Sequence, residues 1–400
     1  MQAMGARLVA GLLAGLVTLL AAGWSMVAQV QDARLLAASS GSQIAPLPDG
    51  LLPPDVPQPP SQQALSAPER GRLAEALWRE PLSPRLFNLL FADTARSRPP
   101  GEVAHTAAVL EQLGWRYTPA QQNIILRALF AEKFDKVLDR VDALLRRQKR
   151  LDLAYATLSA MEAIPEVHSV VLEKLIAGPA WRANYMSAIS GESPPALLEA
   201  RRATIAALLD TPGGLRRNEL APSLLALFAS GRGGAAHELW RRHAGMPADG
   251  NLVYDPDFKH AGALAETGDA AIPVEWQLGQ DLGYAAQASP EGVTITWDRR
   301  GVPRFLAQAV RVHPGRSYNL SIRGRSDTSS ISRLLRPELL CGGQTVRFEL
   351  AEEAPGENTF VSRPLPRTCD LGVLTIGGAV DTGSGGVIIE IQNVSLQVAT

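Results

Sequence analysis

At Asn251-Leu252-Val253-Tyr254-Asp255-Pro256-Asp257-Phe258 the chain changes its period. From Ser66 up to this point apolar residues recur at three and four, as amphipathic helices require; beyond it they alternate one by one, as half-buried strands require. One packed layer cannot serve both periods. The sequence therefore predicts a multidomain α plus β protein with a helical region first and a β region last. Its 400 residues, 46% of them hydrophobic, suffice for more than one core. The formal net charge of −1 supplies no long-range field for gathering nucleic acid, so the composition argues against that partner.

The N-terminus bears on compartment. No charged residue occurs from Leu8 to Gln31; Arg7 precedes the run, Asp32 and Arg34 follow it, and Trp24 sits where an interfacial aromatic would. This segment, within 1–39, is expected to meet a membrane as a retained transmembrane helix or as a signal cleaved near Ala21-Ala22-Gly23. Gly11 and Gly15 form a G-x-x-x-G that fits either close packing of two anchors or ordinary small residues in an apolar segment. Either outcome exports the rest of the chain. The expected location is the bacterial inner membrane with the bulk in the periplasm, or a free periplasmic or secreted protein after cleavage. Seven prolines between Pro46 and Pro60 make residues 40–64 an extended, semi-stiff linker.

The helical region is expected over 65–247. Ser66 is placed to cap and Pro68 to occupy a first turn. Ser83-Pro84 and Thr118-Pro119 open two stretches that match at an offset of 35: Asn88 corresponds to Asn123, and Leu89-Leu90 to Ile124-Ile125. That offset is near the period of helix-turn-helix solenoids. Further helices are predicted at about 134–148, 151–163, 166–177, 180–190, 194–210, 218–230 and 233–244. The charge run from Asp135 to Asp152 reads as a solvated helix face.

In the β region, 250–400, apolar residues alternate at Val293, Ile295 and Trp297 and again at Tyr318, Leu320 and Ile322, with a turn at His313-Pro314-Gly315. A β-sandwich of two packed sheets is the natural expectation.

The stretches "AEALWREPLSPRLFNLLFADTAR", "FDKVLDRVDALLRR" and "GPAWRANYMSAI", followed by Asn251-Leu252-Val253 and a β region, resemble divergent tetratricopeptide-like proteins of bacterial envelopes with a C-terminal carbohydrate-binding-like domain. The signature residues of the tetratricopeptide repeat are reduced to Leu113-Gly114-Trp115 and Tyr117. Similarly, "NLVYDPDFKHAG", the tryptophan of "IPVEWQLG" and the closing "GVIIEIQNVSLQVAT" resemble the first and last strands of jelly-roll carbohydrate-binding modules. The resemblance implies a scaffold that binds envelope proteins through helical repeats, with polysaccharide as a further partner, of the kind associated with exopolysaccharide production.

Sugar binding by stacking needs an exposed flat ring. The candidates are Tyr284, Trp276, Trp297 and Phe305. For Trp276 and Trp297 the core reading is favoured, because each shares its alternation with apolar neighbours; Tyr284, in "QDLGYAAQ", is the one best placed for exposure. Many such modules keep a structural calcium near their first and last strands. Here Asp255 and Asp257 are the candidate oxygen ligands, and turn-forming carboxylates beside Pro256 are the competing reading. No other cofactor is implied.

Cys341 and Cys369, the two cysteines of an exported chain, are expected to form a disulfide. No H-E-x-x-H, phosphate-cradling G-x-x-x-x-G-K-[ST] or G-x-S-x-G occurs, and the histidines at 105, 168, 237, 243, 260 and 313 are scattered. The favoured reading is a non-catalytic scaffold or adaptor. The alternative is a polysaccharide hydrolase or lyase with its site where the helical and β regions meet.

Overall fold

A computed structural model describes residues 65–98, 100–247, 250–289, 291–379 and 385–399. The expected membrane segment and proline linker lie outside them. Among the described residues no helix is long and apolar enough to cross a membrane. They fall into two compact units that divide between Trp181 and Arg182.

The first unit is helical: α1 Ala67–Arg79, α2 Pro84–Ser97, α3 Pro100–Leu113, a short 3-10 turn Gly114–Arg116, α4 Thr118–Phe130, α5 Phe134–Arg146, α6 Leu151–Glu162 and α7 Pro165–Ile176. Each helix packs on the next, and α2 also meets α4 while α5 meets α7. At the start of α1 the Ser66 amide and hydroxyl both donate to Glu69, 2.7 and 2.6 Å. The repeat has a physical counterpart: Asn123 donates its side-chain amide to Asn88 at 2.7 Å, so equivalent positions of α4 and α2 join side by side. In α5 the charge run faces water at Asp135, Asp139 and Arg146, while Val137, Leu138, Val141, Leu144 and Leu145 are buried. Asp142 departs from that pattern. Its buried carboxylate accepts the Trp181 indole N–H at 2.7 Å.

The second unit begins with α8 Arg182–Ser187, α9 Pro195–Leu209, α10 Arg217–Ala229 and α11 Gly233–His243, close to the predicted ranges. Arg201 is buried among them, bonded to the carbonyls of Tyr185 and Met186 with its guanidinium 4.4 Å from the Tyr185 ring centroid. The change of period at Asn251 thus falls inside this unit, not at its edge. A nine-residue helix, α12 Lys259–Thr267, then interrupts the stretch expected to hold only strands. Its first turn is capped from outside: the Asp255 carboxylate accepts the amides of His260 and Ala261 at 3.0 and 2.8 Å.

The strands are β1 Gln277–Leu278, β2 Gln280–Asp281, β3 Tyr284–Ser289, β4 Gly292–Trp297, β5 Arg304–Arg311, β6 Tyr318–Ser326, β7 Leu335–Cys341, β8 Gln344–Ala354, β9 Glu357–Ser362, β10 Leu371–Gly378 and β11 Val387–Val398, with a four-residue helix, α13 Ile331–Leu334, before β7. All described pairings are antiparallel, in the order β1-β5-β10-β7-β8-β9-β6-β11-β4-β3-β2. Two separate sheets were expected; one nearly closed sheet is found. Strand β8 causes the difference, pairing with β7 through Gln344 to Arg347 and with β9 from Phe348 on, so it carries the ladder from one layer to the other. The other ends meet at Gly279, whose N–H bonds Phe305 O at 2.7 Å and whose carbonyl accepts the Ala286 N–H at 2.9 Å.

The segment at 251–258 is tied to both layers. Leu252 donates to Leu396 O at 2.9 Å on β11, and Tyr254 exchanges two hydrogen bonds with the buried side chain of Gln308 on β5. The opening and closing segments are therefore neighbours, although the first, likened above to a first strand, is not a strand.

Cys341 and Cys369 form a disulfide spanning 28 positions, from the end of β7 to the approach to β10. Closing a loop of this length stabilises by about 2–4 kcal/mol. The Cys341→Ala/Cys369→Ala double variant is expected to lose that much in urea unfolding of the full chain; an unchanged midpoint would refute the expectation.

Candidate functional site

Of the four candidate stacking rings, three lie in the core, and for Trp276 and Trp297 that is the position their alternation favoured. Trp276, Trp297 and Phe305 are buried at 2%, 2% and 0% exposure, and Tyr284 is half-buried with its ring edge-on to Phe305, centroids 5.7 Å apart. These rings fill the β core because they occupy the inward side of the alternation; even their polar edges are used inward. Trp276 Nε1 donates to Asp255 O at 3.0 Å and Trp297 Nε1 to Arg300 O at 3.2 Å. Without an open face none of the three can stack on a pyranose.

The proposed calcium ligands also have other work. Both Asp255 oxygens cap α12, and Asp257 pairs with Lys259. Among the described residues no group of three or more His, Cys, Asp or Glu is arranged to hold a metal.

Within the second unit, the titratable side chains converge where α10 and α11 pack on the β region. Glu275, 1% exposed, accepts two hydrogen bonds from Arg217 at 2.8 and 2.7 Å, one from the Ile272 amide at 2.8 Å, and shares one with His260 Nε2 at 2.9 Å. Burial alone would push the Glu275 carboxyl up. The Arg217, His260 and Ile272 bonds outweigh it and hold the group down at about 2. Beside this lock Trp240 is buried, with Tyr254 edge-on at 5.2 Å and His243 at 5.3 Å between centroids; Tyr254 and His260 are 5.5 Å apart. Burial raises the Tyr254 hydroxyl to about 12 and lowers His243.

A second site lies at one end of the β region. Gly324, Arg325 and Ser326 at the end of β6, Ser329 to Ile331 leading into α13, and Glu353 to Gly356 with Asn358 in the β8–β9 hairpin line a cavity of about 460 Å³. Asn358 is 3% exposed, on the inward side of β9 with Phe360 and Ser362. Its Oδ1 has no hydrogen-bond partner among the described residues. At the rim, Glu353 accepts the Ser330 hydroxyl and, at 3.1 Å, that of Ser332, and these bonds hold its carboxyl below the usual range. Arg325 pairs with Glu390 at 2.6 Å.

The first unit carries a third surface, a groove of about 780 Å³ between α1, α2 and α3, lined by Leu73, Leu77, Trp78, Leu90, Asp93 and His105 among others. Trp78 is 88% exposed and Leu82 74%.

Sequence reasoning missed both sites in the second unit, for different reasons. Glu275 left a trace, a lone acid between Val274 and Trp276 in an apolar run. The Asn358 cavity left none, because its walls come from three separated segments of unremarkable polar residues.

No protein-family model matches the chain, and no curated protein matches it. Among solved structures it is similar to TmCBM61, determined in complex with beta-1,4-galactotriose, at 16% identity over 37% of this chain and 99% of that one, TM-score 0.23. It is also similar to BtGH115A, a family GH115 4-O-methyl-alpha-glucuronidase with specificity for decorated arabinogalactans, at 11% identity over 76% of this chain, TM-score 0.19. The chain spans 48% of that enzyme's length. At these TM-scores neither likeness bears on function.

Proposed function

We propose that the protein is a non-catalytic scaffold or adaptor of the bacterial envelope, tethered at the inner membrane and exposed to the periplasm. It acts in cell-surface polysaccharide production, holding a protein partner on its tetratricopeptide-like helices and a glycan on its β region. The observation that carries this reading is the Trp78 groove. A helical array that leaves an indole 88% exposed beside Leu77 and Leu90 presents an apolar anchor point suited to an apolar segment of another protein. The apolar run from Leu8 to Gln31 supports tethering, and the disulfide supports an oxidising compartment.

The test is a photo-crosslinking residue at position 78 of the full chain in bacterial envelopes. A discrete protein adduct is expected there and not from the same residue at exposed Asp152. With the partner in hand, Trp78→Ala is expected to cost about 2 kcal/mol of binding, roughly thirtyfold. Equal labelling at the two positions would sink the docking reading.

The enzyme alternative is favoured by one observation, the Tyr254, His260, His243 and Arg217 cluster where the helices of the second unit meet its β region. Two features weigh against it. The Glu275 carboxylate is fully engaged, and a Tyr254 hydroxyl raised to about 12 is a poor source of phenolate near neutral pH. Shortened chains after incubation with bacterial polysaccharides would establish it.

A further inference from the structure

We infer that the hollow between the 3-10 turn Gly114–Arg116 and α5 binds an acidic saccharide, a uronate residue whose ring packs on Trp115 and whose carboxylate pairs with Arg140 and Arg147. This adds a glycan contact on the first unit, names its chemical class, and rests on the glycan half of the proposed function.

One helix face and one turn build the site. Lys136, Arg140 and Ala143 on α5 and Arg147 just after it recur at four, three and four, and with Glu111 and Trp115 they line a cavity of about 550 Å³, a size that holds a small ligand. Buried Gln121 ties the turn to the helix: its side-chain amide donates to Gly114 O at 2.7 Å, and its oxygen accepts from Arg140 Nη1 at 3.4 Å. The Arg140 guanidinium lies over the Trp115 ring, 4.4 Å from the centroid, yet the tryptophan stays 48% exposed. It offers open apolar surface to the C–H side of a pyranose, which the buried rings of the β region cannot.

Charge selects the ligand. Every acid in the cavity wall already has a cation: Glu111 has Lys136 at 2.5 Å, Asp142 has Arg146 at 3.0 Å, and Asp139 has Lys174 at 3.8 Å. Arg140 and Arg147 have no carboxylate within 4 Å among the described residues; Arg147 donates instead to the carbonyls of Arg116 at 2.6 Å and Trp115 at 3.4 Å. Both guanidiniums are partly exposed and keep N–H donors to spare. Burial, opposed at longer range by Glu111 and Asp139, lowers the Arg140 pKa, so a carboxylate brought against it relieves a charge that the fold leaves under-compensated. The planar fork of a guanidinium matches a carboxylate with two parallel bonds. A run of acidic side chains would set many charges against the carboxylates of the wall, whereas a uronate brings one charge and hydroxyls that donate to them.

The experiment is ligand-observed NMR of the full chain with galacturonate and glucuronate oligomers, the matching neutral galactose and glucose oligomers, and oligoglutamate. Uronate oligomers are expected to bind, the neutral ones roughly tenfold more weakly, with the uronate Kd rising as salt is added. Arg140→Gln, Arg147→Gln and Trp115→Leu should each raise that Kd roughly tenfold, and Lys149→Gln, at an exposed cation outside the cavity, should leave it unchanged. Arg147→Gln does not disturb the stacked pair and covers the case in which loss of Arg140 or Trp115 unsettles the turn. Uronate binding that survives in both arginine variants overturns this site and leaves the glycan reading standing. An equal loss in Lys149→Gln reduces the effect to general attraction of charge and overturns the built site. Neutral sugars or oligoglutamate held as tightly as uronates overturn the ligand class. Failure of every saccharide overturns the site and the glycan half of the proposed function together.

Discussion

Replacing Arg217 with methionine is expected to destabilise the second unit by about 3–5 kcal/mol, because it leaves the Glu275 carboxylate buried without its main partner. The arginine lies on α10 and the glutamate just before β1, so the pair fastens helix to sheet. Glu275→Leu should cost less than Arg217→Met, since it removes the buried charge instead of stranding it. Combined with Arg217→Met it should cost less than the sum of the two. The pH dependence follows from the same pair. The Glu275 carboxyl sits near 2 in the folded chain against an ordinary 4.5, a depressed value, so the unfolded chain takes up the proton first as acid is added. Its contribution, about 3 kcal/mol from that difference, is complete above pH 4.5 and is lost as pH falls toward 2. Urea unfolding as a function of pH should therefore show a decline across this window that flattens in Glu275→Leu. Equal slopes for the parent and that variant would remove the carboxylate from the account.

The periodicity that separates helix from strand located α5, α6, α7, α9, α10 and α11 to within a residue or two, because each buries one face of a regular helix. The repeat was legible for the same reason and now has a contact, Asn88 to Asn123. Helix α12 was not legible: "KHAGALAET" carries alanine and glycine rather than an apolar stripe, and its cap is a carboxylate from a residue read as a turn former or calcium ligand. Of the candidate stacking rings, the two tryptophans lie in the core, the position their alternation favoured. A tryptophan between alternating apolar residues is on the inward face, and Trp276 and Trp297 obey that alternation. The Asn358 cavity was beyond sequence reasoning, since its character lies in an acceptor left without a donor, a property of three dimensions only.

The other large effect is expected at Gly279. The two layers of the β region are joined by β8 on one side; on the other, among the described residues, the strand ladder closes where Gly279 lies between β1 and β2, bonded to Phe305 and Ala286, with the 251–258 segment as a further tie between the layers. The chain there runs so close to β5 that a Cβ on residue 279 would stand 2.1 Å from Arg304 O and 3.2 Å from Tyr284 Cε2. A backbone carbonyl cannot rotate away as a side chain would. In Gly279→Ala the strands must part, which gives up the two closing hydrogen bonds and exposes strand edges to pairing with other chains. The expected cost is about 3 kcal/mol or more, with loss of hydrogen-exchange protection at Ala286 and increased aggregation on partial unfolding. Gly301→Ala is the control, at φ +72° with open space around its Cβ, where only backbone strain applies and about 1 kcal/mol is expected. If Gly279→Ala costs no more than this control, closure at Gly279 contributes little and the layers are held by the continuous ladder through β8 and by the 251–258 segment.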